Sequence, residues 1–243
     1  TWIGAPLAAR VRLNRFLNAV GLVPSSRLAS YDTPSIHSPA TLLTSHTANN
    51  KTTIPDFSKQ VDLVKSIHSH INGRVVLLLP TNRQLEEWRQ SLSEGLDRPL
   101  FAEGIDAALG NLLDHDPLQK ALLLATDWNL TTALTANDLL IIPRIPFAQG
   151  RSIYLEQLAQ DLEFHQKNSS QELIIPEAAL QLRRWLDAHP ITPRLILDQR
   201  TIFSRYAQDL NPIWGEKCKT ASSDQEVIDW ISANYSAPSK ETL

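Results

Sequence analysis

The sequence predicts an α/β protein, a three-layer α/β/α sandwich around a mostly parallel sheet. Three observations carry this. The runs Val75 to Leu79, Leu122 to Ala125, Leu139 to Ile142 and Arg194 to Leu197 are largely apolar and lack 3.6-residue gaps, as expected of strands buried on both faces of a parallel sheet. Between them, apolar residues recur at helical spacing, so strand and helix alternate along most of the chain. The connections are long enough for right-handed crossovers, and no repeat period or heptad series competes. Five or six strands are expected.

The elements follow in order. Leu13, Phe16, Leu17 and Val20 share one helical face that Gly21 closes. Residues 24–55 are rich in Pro, Ser, Thr and Asn around one apolar run, Thr41 to Thr44, and read as loop with a single strand. Phe57, Val61, Val64, Ile67 and Ile71 mark a helix, and Asn72-Gly73 turns the chain into the strand Val75 to Leu79. Thr81 or Asn82 caps the next helix, which carries Leu85, Trp88 and Leu92, with Glu86 and Glu87 near its positive end. A short strand over Pro99 to Ala102 and a short helix over Ile105 to Leu113 precede the central stretch, residues 122–147. There two strands flank a polar loop of Thr126, Asp127, Trp128 and Asn129. In open parallel sheets ligands lie beyond the carboxyl ends of the strands, which makes this loop the first candidate site.

A long helix is expected from about Ser152 to Lys167, then a polar break over Asn168 to Gln171. Pro176 opens the following helix, as a first-turn proline does. Arg194 to Leu197 is expected to be the last strand, closing on Asp198, Gln199 and Arg200, with Ile202, Phe203 and Tyr206 on one helix after it. From Gly215 the chain is polar until Ser223, which with Glu226 forms a capping box for a short helix, Val227 to Tyr235. Domain organisation follows: one large domain over residues 1–214 and a polar tail with a short helix over 215–243.

Composition narrows the function. The 243 residues include 42% apolar ones, enough to fill one large core. A net charge of −3 and a pI near 6.1 leave no overall electrostatic footprint for nucleic acid, so any such binding is local. The single cysteine, Cys218, excludes an internal disulfide and a cysteine-based zinc site. No apolar run approaches the roughly 18 residues of a membrane span, and no signal peptide opens the chain; no membrane association is expected, and a cytoplasmic location is. The sequence begins at Thr1 and lacks methionine, which is expected of a fragment or a processed product.

Glycine-loop motifs are missing. None of the eight glycines stands in a P-loop or G-x-G-x-x-G spacing, and G-x-S-x-G is absent too. His68 and His70 lie two apart on a helix, about 200° around its axis, and do not share a metal ion. Asp114, His115 and Asp116 read as a solvated turn. Trp128 could stack on a base or cover the core. Arg183 and Arg184 could touch phosphates or form a solvated helix face.

The order of these parts resembles the second, C-terminal motor domain of superfamily-two helicases of the DinG/XPD type, through most of residues 1–210. TWIGAPLA and RFLNAVGL resemble the family's opening segments, and RVVLLLPTNRQLEEW is similar to its motif IV. LLLATDWNLTTALTANDLLIIPRIPF resembles motif V, with Ile145, Pro146 and Phe147 at its Leu-Pro-Phe ending. PEAALQLRRW and RLILDQRTIFSRYAQDL are similar to motif VI and its sequel, where Asp198, Arg200 and Tyr206 fall into place. The resemblance implies a RecA-like, P-loop NTPase fold. It also implies contacts to single-stranded DNA or RNA through Thr81, Asn82, Arg83, Thr126, Asp127 and Trp128. Arg183, Arg184, Asp198 and Arg200 would form one wall of an ATP cleft. ATP with magnesium is then expected only where an N-terminal motor domain of the same longer chain supplies the P-loop.

The departures bear on activity. Asn129, Leu130, Thr131 and Thr132 replace the Glu-Gly-x-Asp of motif V, and Ala188 and Ile191 stand where motif VI has its finger arginines. Such a finger can be worth roughly 10³ to 10⁵ in rate, so the isolated chain is expected to be inert as an ATPase and to carry no catalytic residue. Three functions are weighed: the C-terminal motor domain of an ATP-dependent helicase acting in DNA repair, a non-enzymatic nucleic-acid or protein interaction module descended from one, and an unrelated α/β enzyme.

Overall fold

The computed structural model describes residues 39–45, 56–106, 120–126, 134–147, 153–215 and 217–235. The first expected helix, the short helix beyond Asp106 and the loop from Asp127 to Thr132 lie outside them. Among the described residues seven strands form one sheet: β1 (Thr41–Thr44), β2 (Val75–Leu78), β3 (Leu100–Ala102), β4 (Leu122–Ala125), β5 (Leu139–Ile142), β6 (Arg194–Ile196) and β7 (Cys218–Ala221). Their order is β3-β4-β2-β5-β6-β1-β7, and every pairing is parallel.

The helices are α1 (Phe57–Ile67), α2 (Asn82–Leu92), α3 (Ile153–Phe164), α4 (Ile175–Ala188), α5 (Arg200–Phe203), α6 (Ala207–Trp214) and α7 (Asp224–Tyr235). Alternate residues of each central strand feed two cores. Val75, Leu77, Leu122, Leu124, Leu139, Ile141 and Leu195 pack under α1, α2 and α7. Val76, Leu78, Leu123, Leu140, Ile142 and Ile196 pack under α4 and α6. This is the three-layer sandwich, with the period-2 geometry of a strand splitting one apolar run between two faces.

Local chemistry sets the boundaries. Thr81 Oγ1 accepts from the Gln84 amide at 3.2 Å and caps α2. Glu86 and Glu87 were expected beside the helix's positive end, yet its first turn holds no acid; Glu87 instead accepts from Arg83 at 3.0 Å, one turn away. Pro176 stands in the first turn of α4, as expected. A π-helical stretch, Ser170–Ile174, runs straight into it, and Asn168 Oδ1 accepts from the Ser170 and Gln171 amides at 3.0 and 3.2 Å.

Four expectations are corrected. The sheet has seven strands, not five or six, and β6 is not the last. The segment after Gly215 supplies edge strand β7, paired with β1, and its helix α7 packs Val227, Trp230 and Ile231 into one core. Cys218–Ala221 escaped notice because an edge strand keeps Lys219 and Thr220 exposed and shows no apolar run. Tyr206 lies not on a helix with Ile202 and Phe203 but between α5 and α6. The capping box is altered: Ser223 Oγ accepts from the Glu226 amide at 3.2 Å, while the Glu226 carboxylate reaches the Ser222 amide at 2.6 Å.

A buried polar cluster ties the amino edge of the sheet together. Asp138 accepts from the Arg74 amide at 2.9 Å, from Arg74 Nε at 3.1 Å and from the Thr135 amide at 2.8 Å, and the Arg74–Asp138 pair is 5% and 1% exposed. Tyr235 donates its hydroxyl to the Asp138 carbonyl at 2.6 Å, joining α7 to the same point. A Cβ on Gly73 would sit 2.1 Å from the Asn137 carbonyl oxygen, so only glycine admits this approach. Burial opposes the Asp138 charge, but the donors from Arg74 and Thr135 outweigh it and hold the carboxyl below its usual range. Nearby, His189 accepts from the Leu134 amide at 3.4 Å, and Arg194 donates to the His189 carbonyl at 3.1 Å.

Removing one partner of a buried pair strands the other's charge. Asp138→Ala is therefore expected to cost about 3–5 kcal/mol, read as a lower urea midpoint; a loss under about 1 kcal/mol would place the pair among ordinary surface bridges. His189 supplies a pH dependence. Burial, then the Arg194 charge, lower its pKa from 6.5 to about 4. A histidine that is neutral when folded and charged when unfolded stabilises fully above its unfolded value. Stability should thus decline as pH falls from 6.5 toward 4, by up to about 1.4 kcal/mol per pH unit, and His189→Gln should flatten that part of a urea-midpoint against pH curve.

Candidate nucleic-acid interface at the carboxyl edge

Because all strands run in one direction, the loops after β2, β3, β4, β5 and β6 gather at one edge. After β2 the chain enters α2 on one face, and after β5 it leaves for the opposite face, where α4 packs. Strands β2 and β5 are neighbours in the sheet. Such diverging loops mark the place where α/β sheets hold ligands. Pro80, Thr81 and Asn82 follow β2, and residues 143–147 follow β5.

On the β2 side the structure joins two of the candidates. Thr126, directly after β4, lies 3.3 Å from Asn82 Oδ1 through its hydroxyl. Glu103, directly after β3, accepts from the Thr126 amide at 2.6 Å and lies 3.1 Å from its hydroxyl. No local pattern marks Glu103; the neighbouring positions of β3 and β4 in the sheet bring it to Thr126. Arg83 stands 88% exposed in the first turn of α2, bridged to Glu87. Asp127 and Trp128 fall outside the described residues, so their expected place beside Asn82 has no structural account.

On the β5 and β6 side a second group forms around Asp198, which is fully buried. It accepts from the Ile145 amide at 2.8 Å, from the Arg200 amide at 3.1 Å and from Arg200 Nε at 2.8 Å. The Arg200 guanidinium also lies 4.6 Å from the centroid of the Phe147 ring, which meets Tyr206 edge to face at 5.3 Å. Burial works against the Arg200 charge, yet the Asp198 bonds and charge prevail and raise its pKa. Gln60 on α1 seals the other face, donating to the Pro143 and Leu197 carbonyls at 3.2 and 3.1 Å. Asp198, Arg200 and Tyr206 are thus brought together, as are Ile145 and Phe147.

Arg183 is not part of this group. It lies in the second half of α4, whose C-terminus leads through His189 to the first residue of β6, at the opposite edge. Arg184 is in the same half. Ala188 ends the helix, and Ile191, 49% exposed, lies in the turn after it. Among the described residues no group of His, Cys, Asp or Glu could hold a metal ion, and His68 turns inward, its Nδ1 2.5 Å from the Lys65 carbonyl oxygen. No helix among them is long and apolar enough to cross a membrane.

An all-parallel sheet covered on both faces, with its polar loops at the carboxyl edge, defines a RecA-like α/β domain. XPD helicase structures are among its solved neighbours. S. tokodaii Xpd4 matches with a TM-score of 0.51 and 16% identity over 76% of this chain and 39% of that one. An XPD helicase matches with a TM-score of 0.53 and 15% identity over 76% of this chain and 36% of that one. The chain therefore spans less than two fifths of the structures it resembles. No protein-family model and no curated protein matches it. Likeness at this identity establishes the fold alone.

The Asp198 group yields an asymmetric prediction. Asp198→Ala strands Arg200 and the Ile145 amide together and should cost about 3 kcal/mol or more. Arg200→Ala leaves Asp198 its backbone donors and should cost about half as much. Equal losses in urea unfolding would mean that Asp198 acts through the ion pair alone.

Proposed function

We propose that this chain is the C-terminal motor domain of an ATP-dependent DinG/XPD-like DNA helicase, contributing strand contacts and one wall of an ATP cleft. The observation that carries the reading is the meeting of the α2 N-terminus, Asn82 and Thr126 at the carboxyl edge of a RecA-like sheet. A helix N-terminus offers unpaired amides and a positive dipole to a phosphate, and no acid occupies the first turn of α2. Thr81, Asn82, Arg83 and Thr126 contact the strand on this reading, with Asp127 and Trp128 continuing the surface.

ATP and magnesium bind only where a P-loop motor domain closes the cleft. Asp198 and Arg200 form part of this chain's wall, with Arg183 and Arg184 on the helix behind. Arg200 is already held by Asp198, and alanine and isoleucine occupy the positions matched to the finger arginines. These two facts favour a second reading, a domain retained for nucleic-acid or protein contact without hydrolysis.

Anisotropy of a labelled single-stranded oligonucleotide tests strand contact. Affinity should fall steeply between about 50 and 200 mM salt, and Arg83→Ala should reduce the log-log slope by about 0.7. Binding that ignores salt, or none at all, would sink the strand surface and leave protein contact.

A further inference from the structure

Strand β7 closes one end of the sheet, and among the described residues nothing pairs with its outer side. In a parallel ladder the residues of a strand turn their amide and carbonyl alternately to one neighbour and to the other. The Ser45 amide donates to the Ala221 carbonyl at 2.9 Å, so Ala221 and Lys219 face β1 while Thr220 turns both backbone groups outward. Lys219 and Thr220 are exposed. An edge of this kind is a template for another strand.

Beside it, on the α7 face, lies a hollow of about 640 Å³. Leu42, Ala221, Trp230 and Ala233 give it an apolar lining, and Lys217, Lys219, Glu226 and Asp229 stand around it. Neither lysine has an ionic partner among the described residues. Lysines on an edge strand commonly guard it against pairing. Here the position of the acids changes that role. Helix α7 starts two residues beyond β7 and doubles back over the sheet, and the Ser222 amide donates to the Glu226 carboxylate at 2.6 Å. Glu226 is thereby fixed near the carboxyl end of β7, with Asp229 one turn along the helix, while Lys217 and Lys219 belong to the amino end. Charge is split along the edge, and a two-fold axis brings opposite ends together.

We propose that β7 pairs antiparallel with β7 of a second copy of this chain, about a two-fold axis at Thr220, to form a homodimer with one continuous sheet. The Thr220 amide of each copy donates to the Thr220 carbonyl of the other. Lys219 then lies opposite Ala221 of the second copy, and Lys217 lies toward that copy's Glu226 and Asp229. A register centred on Cys218 or on Lys219 would set lysine against lysine, which like-charge repulsion disfavours. Rotation about an axis normal to the sheet keeps both α7 helices on one face, so Trp230 and Ala233 of each copy border a shared seam. The contact does not rest on the helicase reading, and it lies at the far end of the sheet from the Asn82–Thr126 surface.

Sedimentation equilibrium of the full chain tests the pairing, and a monomer–dimer equilibrium is expected. Thr220→Pro removes the outward amide without touching the β1 ladder. It should raise the dimer Kd about tenfold or more while leaving the urea midpoint in place. A charge exchange tests the same contact without altering the backbone. A chain carrying Lys217→Glu with Lys219→Glu, and another carrying Asp229→Lys, should each dimerise about tenfold more weakly alone, and an equimolar mixture should associate as tightly as the parent chain. A parent chain that stays monomeric up to about 1 mM would overturn the proposal and leave this edge to a different protein. A dimer indifferent to both Thr220→Pro and the lysine reversal, or charge variants that stay apart when mixed, would overturn it too. Oligonucleotide binding at Asn82 would survive each of those results.

Discussion

Uniform strand direction is the constraint on which the rest of this structure depends. Parallel neighbours cannot be joined by tight turns, so each return crosses a face of the sheet, usually as a helix. Both faces are then covered, and Val75–Leu78, Leu122–Ala125 and Leu139–Ile142 become inaccessible to solvent along their whole length. The same constraint sorts the loops. Everything that leaves a strand appears at one edge, and everything that enters a strand appears at the other.

The two edges differ in chemistry accordingly. At the amino edge the polar groups are buried and face one another: Arg74 with Asp138, Tyr235 with the Asp138 carbonyl, Arg194 with the end of α4. Such a cluster fixes register and joins sequence-distant elements, and a ligand has no access to it. At the carboxyl edge the groups are half-buried and partly unspent. Glu103 occupies Thr126 and Asp198 occupies Arg200, but Arg205, Arg144 and the first turn of α2 remain turned outward. Glu103 also sets a limit on the strand surface. Its carboxylate takes the Thr126 amide that could otherwise meet a phosphate, so binding there must either displace Glu103 or rely on the α2 N-terminus.

The fold was legible in the sequence where burial is two-sided. Four consecutive apolar residues, as in Val75–Leu78, signal a central parallel strand directly, and Thr81 before Leu85 and Trp88 marks a helix start by its cap. One-sided or edge elements leave fainter traces, which is why Cys218–Ala221 passed for tail. The polar cluster was illegible for another reason. Asp138 sits in a stretch, Thr135 to Asp138, that reads as an ordinary turn, and its partner Arg74 lies 64 residues away. Of the candidate site, Asn82 beside Thr126 and Asp198 beside Arg200 followed from strand-end positions. Glu103 did not, because lateral strand order cannot be read from local pattern.

Strand order also places the two positions that the family resemblance matches to finger arginines. Spacing alone matches them to Ala188 and Ile191, yet the chain at that point approaches β6 from its amino end, across the sheet from the carboxyl edge. The π-helical entry to α4, with Gln171 and Ile174, lies instead beside Phe147 and Tyr206 at the carboxyl edge. The core and the amino-edge cluster hold the sheet together with help at the carboxyl edge from Asp198, Gln60 and Glu103. Side chains at this edge outside those contacts are therefore free to vary with little cost to stability, while the scaffold stays the same.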